Sequence, residues 1–259
     1  MKNMKSKQTK RAPVESVVRV PLTFGSLFAG IGGFDLGFER AGMICKWQVE
    51  IDGYCQRVLE KHWPNVRRWP DVRTWPQPDT ERVDVICGGF PCQDISDAGN
   101  QVGIEGEQSG LWREFARIIC ALRPGIVVVE NVSALLDRGM DRVLGDLAAS
   151  GYDTEWDCIP AAVVGAPHLR DRVFIVGYAE CARLSSRIFV DKWSDSKMFA
   201  ARHRSVLGFD YGPSWNGEPE LAVMVHGVPA DVAGTVGLGN AVVPQVAEWI
   251  GRRIVEAAS

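Results

Sequence analysis

Hydrophobic positions along this chain form short apolar runs separated by stretches with helical spacing. "PLTFGSLFAG" predicts a strand that ends in a glycine turn, and "GGFDLGFERAG" predicts a helix closed by Gly42. "ICKWQVEI" predicts a strand, and "DGYCQRVLEKHW" a helix stopped by Pro64. "VDVICGGF" is a strand with its exit turn. "SGLWREFARIICALRP" predicts an amphipathic helix with Leu111, Phe115, Ile118, Ile119 and Leu122 on one face. "GIVVVENV" is a β-branched run ending in polar residues, "ALLDRGMDRVLGDLAASG" a helix ended by glycine, and "RDRVFIVGYA" a further strand. "GLGNAVVPQVAEWIGRRIVEA" holds a last helix from about Val243, with Val246, Trp249, Ile250 and Ile254 on its apolar face.

This alternation predicts an α/β fold, a doubly wound, Rossmann-like and mostly parallel sheet with crossover helices. In such sheets ligands sit outside the carboxyl ends of the strands, so the polar residues just past each strand are the candidates for chemistry. The pattern fails from about Ala179 to Val225, a polar, basic, loop-rich stretch interspersed with Trp193, Phe199, Tyr211 and Trp215. That stretch reads equally as a surface excursion or as a nucleic-acid contact. The expected organisation is a basic, disordered tail (1–20), a catalytic and cofactor-binding domain (21–178), a small target-recognition segment (179–230) and a C-terminal helix returning to the catalytic domain (231–259).

Composition narrows the picture. A chain of 259 residues, 46% hydrophobic and 24% charged, has the make-up of a soluble globular protein with a substantial core. No apolar run approaches a membrane span, and no apolar signal core follows the basic N-terminus. Seven cysteines, an odd number at irregular spacings without a C-x-x-C pair, point to a reducing cytoplasm and away from a disulfide framework or a zinc site. The four scattered histidines form no ligand spacing, so no metal is expected. Net charge is −3, yet His168 to Arg204 holds eight Lys/Arg against four acids, which concentrates basic character where the pattern fails.

The strand ends carry the candidate chemistry. "FAGIGG" (Phe28, Ala29, Gly30, Ile31, Gly32, Gly33) is a glycine turn that lets backbone approach a ligand, although Asp35 breaks the G-x-G-x-x-G dinucleotide fingerprint. Glu50 ends the second predicted strand, where a carboxylate can accept from ribose hydroxyls. Asp71 and Val72 offer an acceptor for an exocyclic amine beside an apolar contact. Together these indicate an adenosine cofactor. "GGFPCQDIS" puts Cys92 directly after Pro91, whose fixed φ stiffens the turn. A thiol there can be activated as thiolate and attack, with Glu130 of "ENV" as an acid from the neighbouring strand.

In this order the motifs resemble the bacterial and phage cytosine-5 DNA methyltransferases: "FAGIGG", Glu50, Asp71, "GGFPCQDIS", "ENV", "RDR" at Arg170–Arg172, and "GLGNAVVP". The resemblance implies the class I S-adenosylmethionine-dependent methyltransferase fold. It implies methyl transfer from S-adenosyl-L-methionine to carbon 5 of a flipped-out cytosine in a specific duplex DNA sequence, with Cys92 as nucleophile. Glu130 would hold the base, and Arg170 and Arg172 would act around it. The cofactor would meet Phe28 to Gly33, Glu50, Ile51, Asp71, Val72, Pro91, Leu111, Asn240 and Ala241. DNA would meet Gln93, Ser96, Arg187, Lys192, Arg202 and Arg204. The implied partners are double-stranded DNA and, for a restriction-modification pair, a cognate restriction endonuclease. No membrane is implied, and the chain is expected to be monomeric. Two departures stand out: His168 replaces the family's glutamine, and the target-recognition segment is short. An RNA (tRNA) cytosine-5 methyltransferase and a catalytically silent DNA-binding relative are the alternatives.

Overall fold

Aromatic and β-branched runs bounded by turns set the strands, and the apolar spacing between them sets the helices. The computed structural model describes residues 20–91, 110–166, 170–180, 182, 184–189 and 241–258. In chain order the elements are β1 (Thr23–Leu27), α1 (Gly33–Arg40), β2 (Ile44–Val49), α2 (Gly53–His62), β3 (Arg67–Trp69), a 3-10 turn (Val72–Thr74), β4 (Val85–Gly89), α3 (Leu111–Leu122), β5 (Ile126–Val132), α4 (Leu135–Arg138), α5 (Met140–Ala149), β6 (Tyr152–Pro160), a second 3-10 turn (Ala161–Val164), β7 (Asp171–Ala179) and α6 (Pro244–Ala257).

Among the described residues the strands form one seven-stranded sheet in the order β3-β2-β1-β4-β5-β7-β6. The five strands from β3 to β5 run parallel, as the strand–helix alternation predicts. β7 runs antiparallel between β5 and β6. That reversal has a consequence for chemistry: the start of β7 lies beside the carboxyl end of β5, with Arg172 opposite Val132. Side chains alternate across the sheet, so Val127 and Val129 join one core layer with α3 and α5, while Ile126 and Val128 join the other with α1 and α6.

Four features depart from the pattern-based reading. The stretch 135–149 is two helices, because Gly139 (φ 148°) breaks the backbone between α4 and α5. On α3 the buried face includes Trp112, whose indole N–H reaches Asp146 at 2.9 Å, and Leu111 is half-buried at its edge. β3 and β6 were not marked by apolar runs: β3 is "RRW", and β6 interleaves Asp153, Glu155 and Asp157 with its apolar residues. Glu155 is nevertheless buried. It accepts the backbone N–H of Ile188 at 2.5 Å and of Phe189 at 2.9 Å. Those two residues lie in the core, and Phe189 stacks on Trp249 with ring centroids 6.2 Å apart.

α6 docks on α1 with little between the backbones. A β-carbon on Gly37 would stand 2.5 Å from both Ala247 Cβ and the Pro244 carbonyl oxygen, and one on Gly251 would stand 2.8 Å from Ala41 Cβ. Small residues at these facing positions bring Val242, just before α6, against Gly33 in the first turn of α1. Among the described residues no helix is long and apolar enough to cross a membrane.

Inside this layer Asp35 is fully buried, and burial pushes its carboxyl up to about 6 against hydrogen bonds from Gln48, Cys45 and Ser26 that pull it down. A carboxyl raised in the folded state contributes stability at low pH that is lost as pH rises from the unfolded value of 3.8 through about 6. The full swing is about 3 kcal/mol. Urea unfolding at pH 4 to 7 should show Asp35→Asn losing less stability over this window than the parent chain. Identical pH slopes for the two would contradict the burial of an ionisable Asp35.

Candidate active site

The carboxyl ends of β1, β2, β4 and β5 and the start of β7 share one edge of the sheet, and two groups of predicted site residues gather there. The first begins where β1 ends. Phe28 takes a left-handed backbone (φ 51°), an uncommon geometry for a residue with a side chain, and its ring lies 6.1 Å from that of Phe115. Ala29 N–H reaches the Val49 carbonyl at 3.1 Å, which ties the turn to the end of β2. Gly30 N–H donates to Glu50 Oε2 at 2.7 Å, and Asp52 N–H donates to Oε1 at 2.8 Å. Gln56 Nε2 holds the Glu50 carbonyl at 2.6 Å.

Glu50 is 8% exposed, and burial pushes its carboxyl up while the backbone N–H groups oppose the shift. Each of its oxygens spends one acceptor site on the backbone and retains a second. A β-carbon on Gly30 would meet nothing within 4 Å, so that face of the turn is open. Beside it Ile51 is 63% exposed, an apolar side chain left in solvent next to a buried carboxylate. Ile31 is half-buried, and Gly32 and Gly33 are buried under the turn.

Asp71 and Val72 follow β3. Asp71 is already engaged, because Arg73 Nε and Nη2 clasp its carboxylate at 2.8 to 3.0 Å and hold it below the usual carboxylate range. Val72 is buried, and its carbonyl accepts from Arg117 at 2.8 Å.

The second group surrounds Glu130, which is 6% exposed near the end of β5. Arg172 Nε pairs with Glu130 Oε1 at 3.1 Å. Burial pushes the Glu130 carboxyl up, and the charges of Arg172 and then Arg170 oppose that shift. Gly89 lies opposite Glu130 in the β4–β5 register, and a β-carbon there would stand 2.5 Å from Glu130 Oε2. Next to Glu130, Asn131 is buried and donates to the Phe90 carbonyl at 3.1 Å while accepting Val132 N–H at 2.9 Å. Asn131 therefore fastens the exit of β4 to β5 immediately before Pro91, which is half-buried.

Arg170 links the groups. Its backbone is left-handed (φ 33°), and Nη2 donates to the Ala241 carbonyl at 2.6 Å. The next residue, Val242, presses its carbonyl on Gly33, where a β-carbon would overlap it. Leu111 packs against the same core layer as Phe28. Arg187 is exposed. Cys92, Gln93, Ser96, Lys192, Arg202, Arg204 and Asn240 lie outside the described residues, as do the 1–19 tail and His168.

Sequence reasoning missed three contributors. Arg73 has no motif of its own. The role of Gly89 depends on strand register, which sequence spacing does not carry. Asn131 was visible as a polar residue after a "VVV" run, the signal that singled out Glu130. Among the described residues no group of three His, Cys, Asp or Glu is arranged to hold a metal.

The sequence pattern that defines the C-5 cytosine-specific DNA methylases matches residues 22–207. The chain is 35% identical over 158 residues to Type II methyltransferase M.NgoFVII of Neisseria gonorrhoeae, covering 59% of this chain and 42% of that protein. It is 35% identical over 164 residues to Type II methyltransferase M.Bsp6I of Bacillus sp. (strain RFL6), covering 61% of this chain and 52% of that protein. The chain thus spans about half the length of these curated relatives, or less. Among solved structures, one described as a DNA modification methyltransferase encoded within an E. coli prophage superposes with TM-score 0.54 at 25% identity, covering 64% of this chain and 49% of that one. A substituted DNMT2 of Spodoptera frugiperda superposes with TM-score 0.51 at 18% identity, covering 61% of this chain and 50% of that one, a likeness of fold.

Gly89→Ala tests the fit around Glu130. Its methyl would displace the Glu130 carboxylate from Arg172 and cost about 1–3 kcal/mol in unfolding free energy, the usual penalty for overpacking. A crystal structure should show the Glu130–Arg172 separation beyond ion-pair range. An equally stable variant with the 3.1 Å pair intact would mean that the glycine is not needed there.

Proposed function

The chain belongs to the C-5 cytosine-specific DNA methylases, and on that premise we propose that it methylates carbon 5 of cytosine in a specific duplex DNA sequence, with S-adenosyl-L-methionine as donor. The observation that carries this reading is the buried Glu130 carboxyl paired with half-buried Arg172, held on the same sheet edge as the open Gly30–Glu50 turn. A buried carboxyl beside a cation is costly as mere filling, and it suits a polar base that must be gripped away from water.

The residues fit the cofactor. Glu50 retains acceptor sites for ribose hydroxyls, the face of Gly30 is open to backbone approach, and exposed Ile51 offers an apolar surface to the adenine ring. Asp71 would reach an exocyclic amine while sharing its carboxylate with Arg73. Val72, Leu111, Pro91, Asn240 and Ala241 complete the proposed lining. When bound, S-adenosylmethionine supplies an activated methyl group.

The chain's own residues make cytosine able to accept it. Carbon 5 is a weak nucleophile until the Cys92 thiolate adds to carbon 6, forming an S–C bond and moving the displaced π electrons toward ring nitrogen 3. Glu130 offsets that charge by donating its proton to nitrogen 3 and accepting from the exocyclic amine. Burial favours the protonated form it needs, and Arg172 and Arg170 stabilise the carboxylate left behind. Once carbon 5 has taken the methyl, leaving S-adenosylhomocysteine, the carbon-5 proton leaves to a solvent base, the Cys92 thiolate is expelled, and nitrogen 3 returns its proton to Glu130. The ring face is hidden in a duplex, so the base must be flipped out at a cost of a few kcal/mol.

Gln93 and Ser96, which follow Cys92, are proposed to touch the DNA near the flipped base. The basic stretch with Arg187, Lys192, Arg202 and Arg204 is proposed to contact DNA, with most of its affinity salt-dependent. A cognate restriction endonuclease is the corresponding partner proposal.

Transfer of labelled methyl from S-adenosylmethionine to duplex DNA, with transfer RNA as the competing substrate, tests the reading. Duplex DNA should be labelled, and Glu130→Gln should lower turnover by roughly 100-fold with cofactor affinity nearly unchanged, the range for a lost general acid. Labelling confined to transfer RNA, or near-normal turnover in Glu130→Gln, would contradict it.

A further inference from the structure

Beneath the glycine turn one polar chain joins α1, β2, β3 and α2. It starts at Asp35, whose Oδ1 accepts from Gln48 Nε2 at 2.7 Å and whose Oδ2 accepts from Ser26 Oγ at 3.2 Å. The other end of the Gln48 amide, Oε1, accepts from Arg68 Nε at 2.8 Å. The amide is therefore oriented, with its NH2 toward an anion and its oxygen toward a cation. Arg68 Nη2 goes on to donate to the carbonyls of Leu59, at 3.0 Å, and Trp63, at the C-terminal end of α2 where the helix dipole favours a cation.

The chain then returns to its start. The Trp63 ring lies against Gly32, the N-cap of α1, where a β-carbon would overlap it and the backbone is left-handed (φ 91°). Enclosed by this loop of contacts are the bonds that shape the Glu50 carboxylate: Gly30 and Asp52 N–H to its oxygens, and Glu50 N–H to the carbonyl of Trp69, the residue after Arg68. Asp35 and Gln48 are completely buried. Apolar residues would fill the same space at lower desolvation cost, so what the polar chain adds is a fixed register between elements.

We propose that Arg68, acting through Gln48 and Asp35, is a positioning residue that fixes the spacing between the glycine turn and Glu50, and so sets affinity for S-adenosylmethionine. The proposal rests on reading that turn as the cofactor site. Arg68 touches the α2 carbonyls and Gln48, not the open face, so its effect is on binding more than on turnover.

Isothermal titration of the full chain with S-adenosylhomocysteine separates the possibilities, using Arg68→Met, Arg68→Lys, Glu50→Gln and the remote core variant Val143→Ala. Arg68→Met should weaken binding about tenfold, the lower end of what losing an outer-shell partner costs at metal sites. Its turnover at saturating cofactor should fall far less. Arg68→Lys keeps the charge but not the planar fork, and should bind with intermediate affinity. Val143→Ala should lose stability and keep its affinity. Glu50→Gln should weaken binding and so establish the site itself. If Glu50→Gln weakens binding while Arg68→Met does not, the proposal fails and the cofactor site stands. If Glu50→Gln binds normally, the reading of the site fails. Equal loss of affinity in Arg68→Met and Val143→Ala would reduce the effect to stability and overturn the proposal. Should Arg68→Met not fold, unchanged affinity in Arg68→Lys overturns it.

Discussion

Keeping a carboxyl buried at Glu130 is the constraint around which this sheet edge is arranged. A carboxyl that is 6% exposed needs a partner, and Arg172 provides it at 3.1 Å. Arg172 can do so because β7 runs antiparallel beside β5 and begins where β5 ends. The carboxyl also needs room, which Gly89 leaves on the neighbouring strand. One side chain thus accounts for a strand reversal with a use, a glycine in a buried strand and a paired arginine. Asn131 extends the same logic to the next residue by fastening Phe90, so that the chain leaves β4 at Pro91 from a fixed point.

The second support comes from the end of the chain. Small residues let α6 lie directly on α1, and this brings Ala241 and Val242 to the first turn of α1. Arg170 closes the connection from β7 to Ala241 at 2.6 Å. The candidate cofactor turn and the candidate base-gripping residues are therefore parts of one braced edge, built from chain segments as far apart as Gly33 and Val242. Glu155 plays a comparable part on the outer strand, where it captures the Ile188 and Phe189 N–H groups within the core.

Much of this was legible in the sequence where local pattern and burial agree. α1, β2, α2, β4, β5 and α6 follow apolar periodicity closely, because each buries one face or both. β6 was hidden because three acidic residues interrupt it, and Glu155 is inward-facing only because of backbone donors about 33 residues away. β3 is too short to show a period. The apolar spacing puts Gly139 inside a single helix, and its backbone at φ 148° breaks that helix instead. Glu50 and Glu130 were found as polar residues at strand ends. The occupation of Asp71 by Arg73, and the run from Asp35 through Gln48 to Arg68, depend on side-chain geometry that spacing does not encode.

The proposed reaction turns on the addition of Cys92 to carbon 6 of cytosine. Duplex DNA in which 5-fluorocytosine replaces cytosine tests it most directly, because fluorine cannot leave as a proton does and elimination stalls after methyl transfer. The expected product is a protein–DNA adduct that survives denaturing electrophoresis, requires S-adenosylmethionine, and maps by peptide mass to Cys92. An adduct on another cysteine, or methylation of ordinary duplex DNA that persists in Cys92→Ala, would contradict it.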